Sequence, residues 1–496
     1  MESLSETKWD VVISGTGLQQ SLLALALSRS GKNVLHVDSN EYYGAAEAAL
    51  SLQEADEWTE KYASVEGNEP FAAAQVFKDG DGLAASRSYS IALAPQPVHA
   101  RSELLNQLVA SKAFRQIEFL AIGSFFIFQP GSESSGPSLT RIPSTREDVF
   151  SNKDIPTRAK RSLMKFLKFV LEYDVEPQTE LWKSQESEPL AEFLEREFKL
   201  DSQTQSYVAT LTLSLQKDTS VGDGLASIHR HLKSMGVFGA GFAAVYPKWG
   251  GLSEVAQVGC RAGAVGGTIY MLGVGVSDTK HISRDGQDLV AISLTNDVTV
   301  ETKTFIRDDV ETSDEGLCVS RLSAIIDAPL SAMFEAVVPG APTPCAAVVA
   351  FPAGSVLDED GTPSQYPIYA LVHSSDTGEC PVGQCVLYLS TPSCLNSQAL
   401  LDTALAKLIT AAPSSPSAKC LWRLRYEQTC GSGSFSMKDN IGTFGRFTPD
   451  VAFNDSVLAP VQEAWQIVAG PDADTSSYMR FEDREGVQDD EDVFDE

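Results

Sequence analysis

The sequence predicts an α/β protein that begins with a βαβ unit, continues with mixed and antiparallel sheets, and carries an inserted segment that is mainly helical. Three observations predict this fold class. An apolar, β-branched run near the N-terminus turns at two glycines into a leucine-rich stretch. Short alternating segments typical of antiparallel strands follow residue 281. Between residues 141 and 235, apolar side chains recur at helical spacing.

The βαβ unit has the order of a dinucleotide-binding fold. Trp9–Ser14 is predicted as a strand, Gly15 and Gly17 form a tight turn, Leu18–Ser30 is a helix, and Asn33–Asp38 is a second strand ending in an acid. In such folds the glycines bring backbone N–H groups to a diphosphate, and the acid binds a ribose hydroxyl. The unit therefore predicts a flavoprotein-like domain of the FAD/NAD(P)-binding type.

One position departs from that pattern. Gln20 stands where a third glycine would let the helix pack closely on the strand. A side chain there displaces the helix or enters the space of a cofactor. We therefore expect no bound cofactor and treat Gly15, Gly17 and Asp38 as vestigial, while an FAD-dependent oxidoreductase remains an alternative.

The middle of the chain is predicted from periodicity. Ser51–Ser88 is polar and weakly periodic, and is predicted as a long loop or an insertion of uncertain order. Within 141–174 lies an amphipathic helix with a basic outer side, and further helices are predicted to follow up to Met235. Its apolar stripe consists of Leu163, Phe166, Leu167, Val170 and Leu171, and its basic side of Lys160, Arg161, Lys165 and Lys168.

These segments give a domain division. Residues 1–114 and 236–475 form a discontinuous flavoprotein-like domain, residues 115–235 an inserted and mainly helical domain, and residues 476–496 an acidic, disordered tail. A length of 496 residues fits more than one hydrophobic core.

Composition excludes several classes of function. The net charge of −29 opposes binding to nucleic acid and favours a basic partner. The eight cysteines follow no metal-ligand spacing, so no metal site and no disulfide framework are predicted. The N-terminus lacks a secretion-signal pattern, which predicts a cytosolic protein.

Catalytic motifs are missing from the sequence. It contains no G-x-S-x-G, no H-E-x-x-H and no P-loop pattern, and its six histidines do not cluster. No catalytic residue is therefore proposed, and the chain is interpreted as a binding protein built on an enzyme's scaffold.

Several blocks together resemble the family of Rab escort proteins and Rab GDP-dissociation inhibitors. The blocks are GTGLQQS, HVDS followed by YYG, YSIALAP, the segment 141–174, and GGLSEVAQVGCRAGAVGGTIYML at 250–272. They occur in the family's order between the N-terminus and about Asp472. The combination, rather than any single block, carries the resemblance.

The resemblance implies a surface that grips a Rab GTPase in its GDP form. We call it the platform; its residues in this chain are Tyr43, Glu254, Arg261, Tyr270 and Met271. The family's Y-G-x-G-E-L-P reads GGLSEVA here, so Gly250, Ser253 and Ala256 replace its tyrosine, second glycine and proline. Glu254 keeps its place in register, but these replacements leave open the local backbone shape and the direction of its carboxylate.

A second pair of residues separates the two branches of the family. Escort proteins, the component A of Rab geranylgeranyltransferase, dock the transferase heterodimer through a phenylalanine and an arginine eleven residues apart, and Phe150 and Arg161 supply that pair. This favours an escort protein of the fungal type over a GDP-dissociation inhibitor, which remains the first alternative.

The resemblance also implies a cycle of partners. An escort protein holds unprenylated, GDP-bound Rab, presents it to the transferase, shields the geranylgeranyl lipid of the product and delivers it to a membrane. Such a protein is a non-catalytic accessory, cytosolic and in transient membrane contact. The shelter is needed because each lipid CH₂ withdrawn from water contributes about 0.8 kcal/mol.

Overall fold

A computed structural model describes residues 4–64, 69–131, 136–143, 149–150, 155–308, 318–336, 339–412, 418–431, 433–446 and 450–482. The predicted α/β class is confirmed. The α-helices are α1 (Leu18–Leu27), α2 (Leu52–Lys61), α3 (Glu103–Ala110), α4 (Thr157–Val170), α5 (Gln178–Trp182), α6 (Leu190–Phe198), α7 (Ser202–Thr210), α8 (Val221–Ser234), α9 (Leu252–Val265), α10 (Ser397–Ala411) and α11 (Leu458–Ala469).

The first sheet contains the N-terminal βαβ unit. Its strands, in spatial order, are β10 (Ile269–Leu272), β2 (Val34–Asp38), β1 (Lys8–Ser14), β13 (Thr299–Asp308), β12 (Gln287–Leu294) and β11 (Val276–Arg284). Two more strands, β19 (Phe435–Lys438) and β20 (Ile441–Phe444), extend it beside β13. From β10 to β13 the strands are parallel, so the turn after β1 lies at a carboxyl edge where such folds bind ligands.

The second sheet is larger and mixed. Its order is β4 (Phe71–Lys78), β18 (Cys420–Thr429), β14 (Cys318–Ile326), β17 (Cys385–Pro392), β16 (Ile368–Ser374), β15 (Ala346–Phe351), β7 (Phe119–Gln129), β9 (Ala244–Pro247) and β6 (Val98–His99), with β8 (Ser138–Arg141) beside β7. Most of its pairs are antiparallel, as the alternation in the sequence predicts. A short pair, β3 (Ala49–Leu50) and β5 (Ile91–Ala92), stands apart.

Helix α1 is the centre of the first apolar core. All ten of its residues are buried, because it packs against β1 on one side and against α9 and α11 on the others. A helix enclosed on every side needs no amphipathic stripe, which explains the unbroken leucines and alanines of this segment. The contact fixes α9, which carries two predicted platform residues, relative to the glycine turn.

The helices between residues 149 and 234 have an apolar core of their own. Phe166, Phe193, Leu194 and Phe198 are buried there. Of the predicted stripe, Leu163, Phe166 and Val170 point into this core and Leu167 packs against it, but Leu171 is exposed because it lies past the last turn of α4. A smaller cluster around Ile127, Ile155 and Tyr207 joins this helical unit to the second sheet. The domain boundaries given above stay a prediction.

The prediction of a long loop at 51–88 is wrong. This segment contains α2 and β4. Helix α2 begins with a capping box, in which the Ser51 hydroxyl accepts the Glu54 N–H (3.3 Å) and the Glu54 carboxylate accepts the Ser51 N–H (2.7 Å). The helix is polar because it covers only one edge of the core, with Trp58 as its main buried side chain.

Near the C-terminus the chain stays packed beyond the predicted start of the tail. Met479 is buried, and Phe481 lies under the guanidinium of Arg29 at 4.6 Å. Residues 483–496, the rest of the predicted tail, lie outside the described residues. None of the helices in the described part of the chain combines the length and the apolar character needed to span a bilayer.

Candidate functional site

The turn between β1 and α1 has the backbone of a dinucleotide site. Gly15 has a φ of +92°, a conformation that favours glycine. Asp38, at the end of β2, accepts hydrogen bonds from the Thr16 N–H (2.7 Å) and the Thr16 hydroxyl (2.6 Å). Its other oxygen accepts the Asn40 N–H (2.8 Å). The acid that would bind a ribose is therefore engaged by the chain itself.

This engagement positions the next loop. The Thr16 hydroxyl donates to Asp38 and accepts the Gly44 N–H at 3.0 Å. Thr16 is fully buried, so both bonds are shielded from water. Tyr43 is the neighbour of Gly44, and Asp38 thus holds the loop that carries a predicted platform residue.

The place of a diphosphate is filled by carboxyl groups. At the start of α1, Glu47 accepts the Leu18 N–H at 2.8 Å, and its side chain is buried. The Gln20 amide donates a hydrogen bond to the carboxylate of Asp308, which lies at the end of β13, the strand beside β1. A Cβ on Gly17 would lie 2.9 Å from the Gln20 Oε1 and 3.3 Å from the Glu47 Oε2. The space that the glycines open is occupied by these side chains.

The electrostatics of this space also oppose an anion. Burial raises the pKa of Glu47 to about 8, and the nearby Asp308 adds to the rise against the opposing effect of the Leu18 hydrogen bond. A diphosphate would meet two acidic side chains instead of free N–H groups at a helix N-terminus. The residues present do not fit FAD or NAD(P).

Beside the filled site lies a cluster of aromatic side chains. The rings of Tyr43 and Tyr270 are 6.5 Å apart, and Tyr270 lies 4.9 Å from the ring of His36. Burial raises the pKa of Tyr43, and the thiol of Cys260 on α9 adds to the rise. The tyrosine at 43 and the tyrosine at 270, far apart in sequence, therefore form one surface with α9.

Glu254 and Arg261 both lie on α9. Seven residues separate them, about two helical turns, so they share a face of the helix. Burial raises the pKa of Glu254, and the charge of Arg261 opposes that rise. Arg261 is exposed and donates to the Gln116 Oε1 at 3.4 Å. Arg261 follows Cys260, whose thiol interacts with Tyr43 and Tyr270, so the guanidinium lies near the two tyrosines, and Glu254 lies about two turns closer to the start of α9.

Met271 takes a different position from its neighbour. Side chains alternate along a strand, and Tyr270 faces α9 while Met271 packs against the apolar cluster on the other side of the sheet, near Leu35 and Val37. Because β10 is an edge strand, Met271 remains partly exposed. The four other platform residues lie on α9, on the opposite side of β10 and in the loop after β2.

Phe150 and Arg161 are both exposed on the helical unit. Val149 is buried in the core of this unit, whereas 54% of the surface of Phe150 is exposed. The Lys160 ammonium donates to the Phe150 carbonyl at 2.8 Å, which holds Phe150 beside the start of α4. Arg161, the next residue along α4, is also exposed. The two predicted docking residues therefore lie on the same part of the surface.

A family model described as GDP dissociation inhibitor matches residues 5–335. The chain belongs to this family. It is 31% identical to "Rab proteins geranylgeranyltransferase component A" of Saccharomyces cerevisiae over 77% of its length, and 31% identical to the protein of the same name from Candida albicans over 79%. The chain spans about 60% of the length of these two relatives, 61% and 60% respectively.

Solved structures confirm the flavoprotein-like fold of this family member. A Rab GDI from Plasmodium falciparum has a TM-score of 0.66 at 18% identity, with 92% of this chain and 97% of that chain covered. An oxidoreductase from Methanosarcina mazei has a TM-score of 0.58 at 12% identity, covering 92% and 99%. At these identities the likeness concerns the fold alone.

Sequence reasoning missed the residues that fill the diphosphate place. Glu47 and Asp308 are respectively 29 and 288 residues from the α1 groups they contact, so no local sequence pattern predicts these contacts. One signal was available for Glu47, an acid within the apolar stretch GAAEAAL. Within the described residues, no group of three or more His, Cys, Asp or Glu side chains is arranged to hold a metal ion.

Proposed function

We propose that this member of the GDP dissociation inhibitor family is a Rab escort protein that performs no bond-making step itself. It binds unprenylated Rab GTPases in the GDP form and presents them to the Rab geranylgeranyltransferase heterodimer. It then shields the geranylgeranylated product and delivers it to membranes. Its place of action is the cytosol, with transient membrane contact.

The observation that carries the proposal is the filled diphosphate place beside an accessible platform. Glu47, Gln20 and Asp308 occupy the cofactor space. Tyr43 and Glu254 are partly exposed, and Arg261 is exposed. A scaffold that has closed its own ligand site and displays aromatic, acidic and basic groups beside it suits recognition of a protein. Arg and Tyr are enriched at the centres of such interfaces.

The escort branch is supported by two further facts. Relatives at 31% identity are named as component A of the geranylgeranyltransferase. Phe150 and Arg161, the docking pair that the resemblance implies, are both exposed and lie together at the start of α4.

The helical unit is the candidate shelter for the lipid. Its interior contains four phenylalanines, Phe166, Phe169, Phe193 and Phe198, with ring centroids 5.1 to 6.2 Å apart in their contacts. Aromatic and aliphatic side chains between helices suit an isoprenoid, whose transfer from water is favourable.

A GDP-dissociation inhibitor that recycles prenylated Rabs is the second candidate. The family model carries that description, and a "Probable secretory pathway GDP dissociation inhibitor 1" of Schizosaccharomyces pombe is 27% identical over 64% of this chain. Reconstituted prenylation separates the two, because an inhibitor supports no lipid transfer when mixed with transferase and Rab.

The decisive experiment is a pull-down with purified Rab·GDP and transferase. We expect Phe150→Ala and Arg161→Ala to keep Rab binding and to lose the ternary complex, since each removes an exposed docking side chain without touching the platform. Phe238→Ala is the matched control for Phe150, with 55% exposure against 54%. A ternary complex of normal strength with both variants contradicts the escort assignment, and flavin absorbance of the purified protein contradicts the whole proposal.

A further inference from the structure

Trp249 stands exposed at the entrance to α9. Slightly more than half of its surface, 54%, is open to solvent, and its φ is +75°, a left-handed conformation that a bulky side chain rarely adopts. The backbone is held on both sides, because the Trp249 N–H donates to the Thr377 carbonyl (2.8 Å) and the Ser90 hydroxyl donates to the Trp249 carbonyl (2.6 Å). These two hydrogen bonds fix the backbone of Trp249, and with it the position from which the indole extends.

A glycine forms the seat of the indole. A Cβ on Gly378 would lie 2.2 Å from the Trp249 ring, so any other residue there would displace it. Gly378 also has a φ of +79°, which gives a second reason for glycine at this position. Part of the ring is thus covered by the Gly378 backbone and the Lys248 ammonium lies 5.0 Å from its centre, while 54% of the surface of Trp249 stays open to a partner.

The seat is anchored in the core by a buried polar network. Glu379, next to Gly378, accepts the Tyr246 hydroxyl, and its other oxygen lies 2.7 Å from the His373 Nδ1. Its backbone carbonyl accepts the Ser90 N–H at 3.1 Å. Glu379 is fully buried, so these contacts are made away from water and hold the seat rigidly.

Side-chain contacts connect Trp249 to the platform. The Lys248 ammonium lies 5.0 Å from the Trp249 ring and pairs with Glu118 at 3.0 Å. Gln116, two residues before Glu118, accepts the hydrogen bond of Arg261. We call this continuous band of Trp249, Lys248, Glu118, Gln116 and Arg261 the Trp249 strip. It joins the entrance of α9 to the guanidinium near the end of the helix.

We propose that Trp249 is a further binding residue for the GDP-bound GTPase, an apolar anchor at the far end of the platform from Tyr43. The inference rests on the proposed function, since it takes the same partner. Single exposed apolar side chains are common and carry no meaning by themselves. Here a strained backbone, a glycine seat and a buried network hold one indole in a set orientation, which lowers the entropy cost of binding. Trp is also the residue type most enriched among energetically dominant contacts.

Affinity for a Rab GTPase loaded with a fluorescent GDP analogue tests the proposal. We expect Trp249→Ala to raise the Kd at least tenfold and Trp249→Phe to raise it less, because the phenyl ring retains part of the apolar contact. Val382→Ala, at a side chain that is 94% exposed and outside the Trp249 strip, is the control and should change the Kd less than twofold.

The platform variants Arg261→Ala and Tyr43→Ala distinguish a failure of the proposed Trp249 contact from a failure of the whole platform. A normal Kd for Trp249→Ala together with weakened binding by these two overturns the role of Trp249 alone. Normal binding by all three overturns the platform and this inference with it. Weakened binding by all three supports both.

A spectroscopic measurement covers the case in which Trp249→Ala does not fold. The emission of Trp249 is the difference between the spectra of the native protein and Trp249→Phe. Binding of Rab·GDP should shift this difference to shorter wavelength, as the exposed indole leaves water. An unchanged difference spectrum at saturating Rab·GDP overturns the proposal.

Discussion

At the scale of single residues, Glu47 occupies the position at which a nucleotide-binding fold holds its ligand. Its carboxyl group accepts the Leu18 N–H, the kind of donor that binds a phosphate at a helix N-terminus. Burial raises its pKa to about 8, so the neutral acid predominates at pH 7. The chain thus fills the site with a group of its own that needs no counter-ion.

Glu47→Gln should stabilise the protein at alkaline pH. The folded-state pKa of Glu47, about 8, lies above the ordinary glutamate value of 4.5, so the unfolded chain releases this proton first and stability falls as the pH rises between the two values. Glutamine keeps an acceptor for Leu18 and cannot ionise. We expect the free energy of unfolding to exceed that of the native protein by on the order of 5 kcal/mol at pH 9, since each unit of difference between the folded-state and unfolded-state pKa contributes about 1.4 kcal/mol. Urea denaturation measures this difference.

The same comparison at pH 5 should show a much smaller difference, because the Glu47 carboxyl group, with an ordinary pKa of 4.5, is only partly ionised in the unfolded chain there. Glu60→Gln, at an exposed position of α2, is the control and should change stability equally at both pH values. A Glu47→Gln advantage that does not grow with pH would contradict the buried neutral acid.

At the scale of elements, the β1–α1 turn acts as a support for the platform. Asp38 binds Thr16, and Thr16 binds the backbone of Gly44 beside Tyr43. A turn that brings N–H groups to a cofactor in a nucleotide-binding protein here positions the loop between β2 and α2. The vestigial acid therefore keeps a structural role in this chain.

Thr16→Val should weaken Rab·GDP binding several-fold. The substitution preserves the shape of the buried side chain but removes both hydroxyl hydrogen bonds, which frees the Tyr43 loop and costs about 1 to 3 kcal/mol of stability. Thr210→Val is a matched control, because its buried hydroxyl bonds the Ser206 carbonyl within α7, away from the platform. Titration with Rab·GDP measures the effect; equal Kd values for both variants would show that the turn does not position Tyr43.

At the scale of the whole molecule, the helical unit and the sheets are stabilised by different apolar cores. The sheets and α1 share cores that hold the platform, whereas the helices from 149 to 234 have one of their own. The exposed Phe150 and Arg161 belong to the helical unit. The predicted Rab-binding residues and the predicted docking pair therefore belong to different parts of the chain.

Phe193→Ala should unfold the helical unit while leaving the platform intact. Phe193 is fully buried among Phe169 and Phe198, and truncation of such a ring costs about 3 to 5 kcal/mol. We expect hydrogen exchange to accelerate in α4, α6 and α8 but not in α1 or α9, with Rab·GDP binding retained and the ternary complex lost. The exposed Val175→Ala should change none of these. Faster hydrogen exchange throughout the chain would show that the helical unit and the part that contains α1 and α9 unfold together.

Local patterns in the sequence determined the elements that periodicity and special backbone conformations specify. The strand, glycine turn and leucine-rich helix at the N-terminus are where the pattern places them, and Leu163, Phe166 and Val170 of the predicted stripe are buried in α4. Each of these features depends on residues close together in the chain. Helix α2 was missed because its capping box, and not an apolar stripe, marks it.

Only the tertiary structure decided what occupies the ligand place and which side chains share a surface. Glu47 and Asp308 reach α1 across 29 and 288 residues, and Trp249 rests on a glycine 129 positions further along the chain. Such contacts depend on how sheets and helices pack, which the spacing of apolar residues does not encode. The sequence alone determined that this chain has the frame of a nucleotide-binding fold, and its packing determined that the frame is closed to a cofactor.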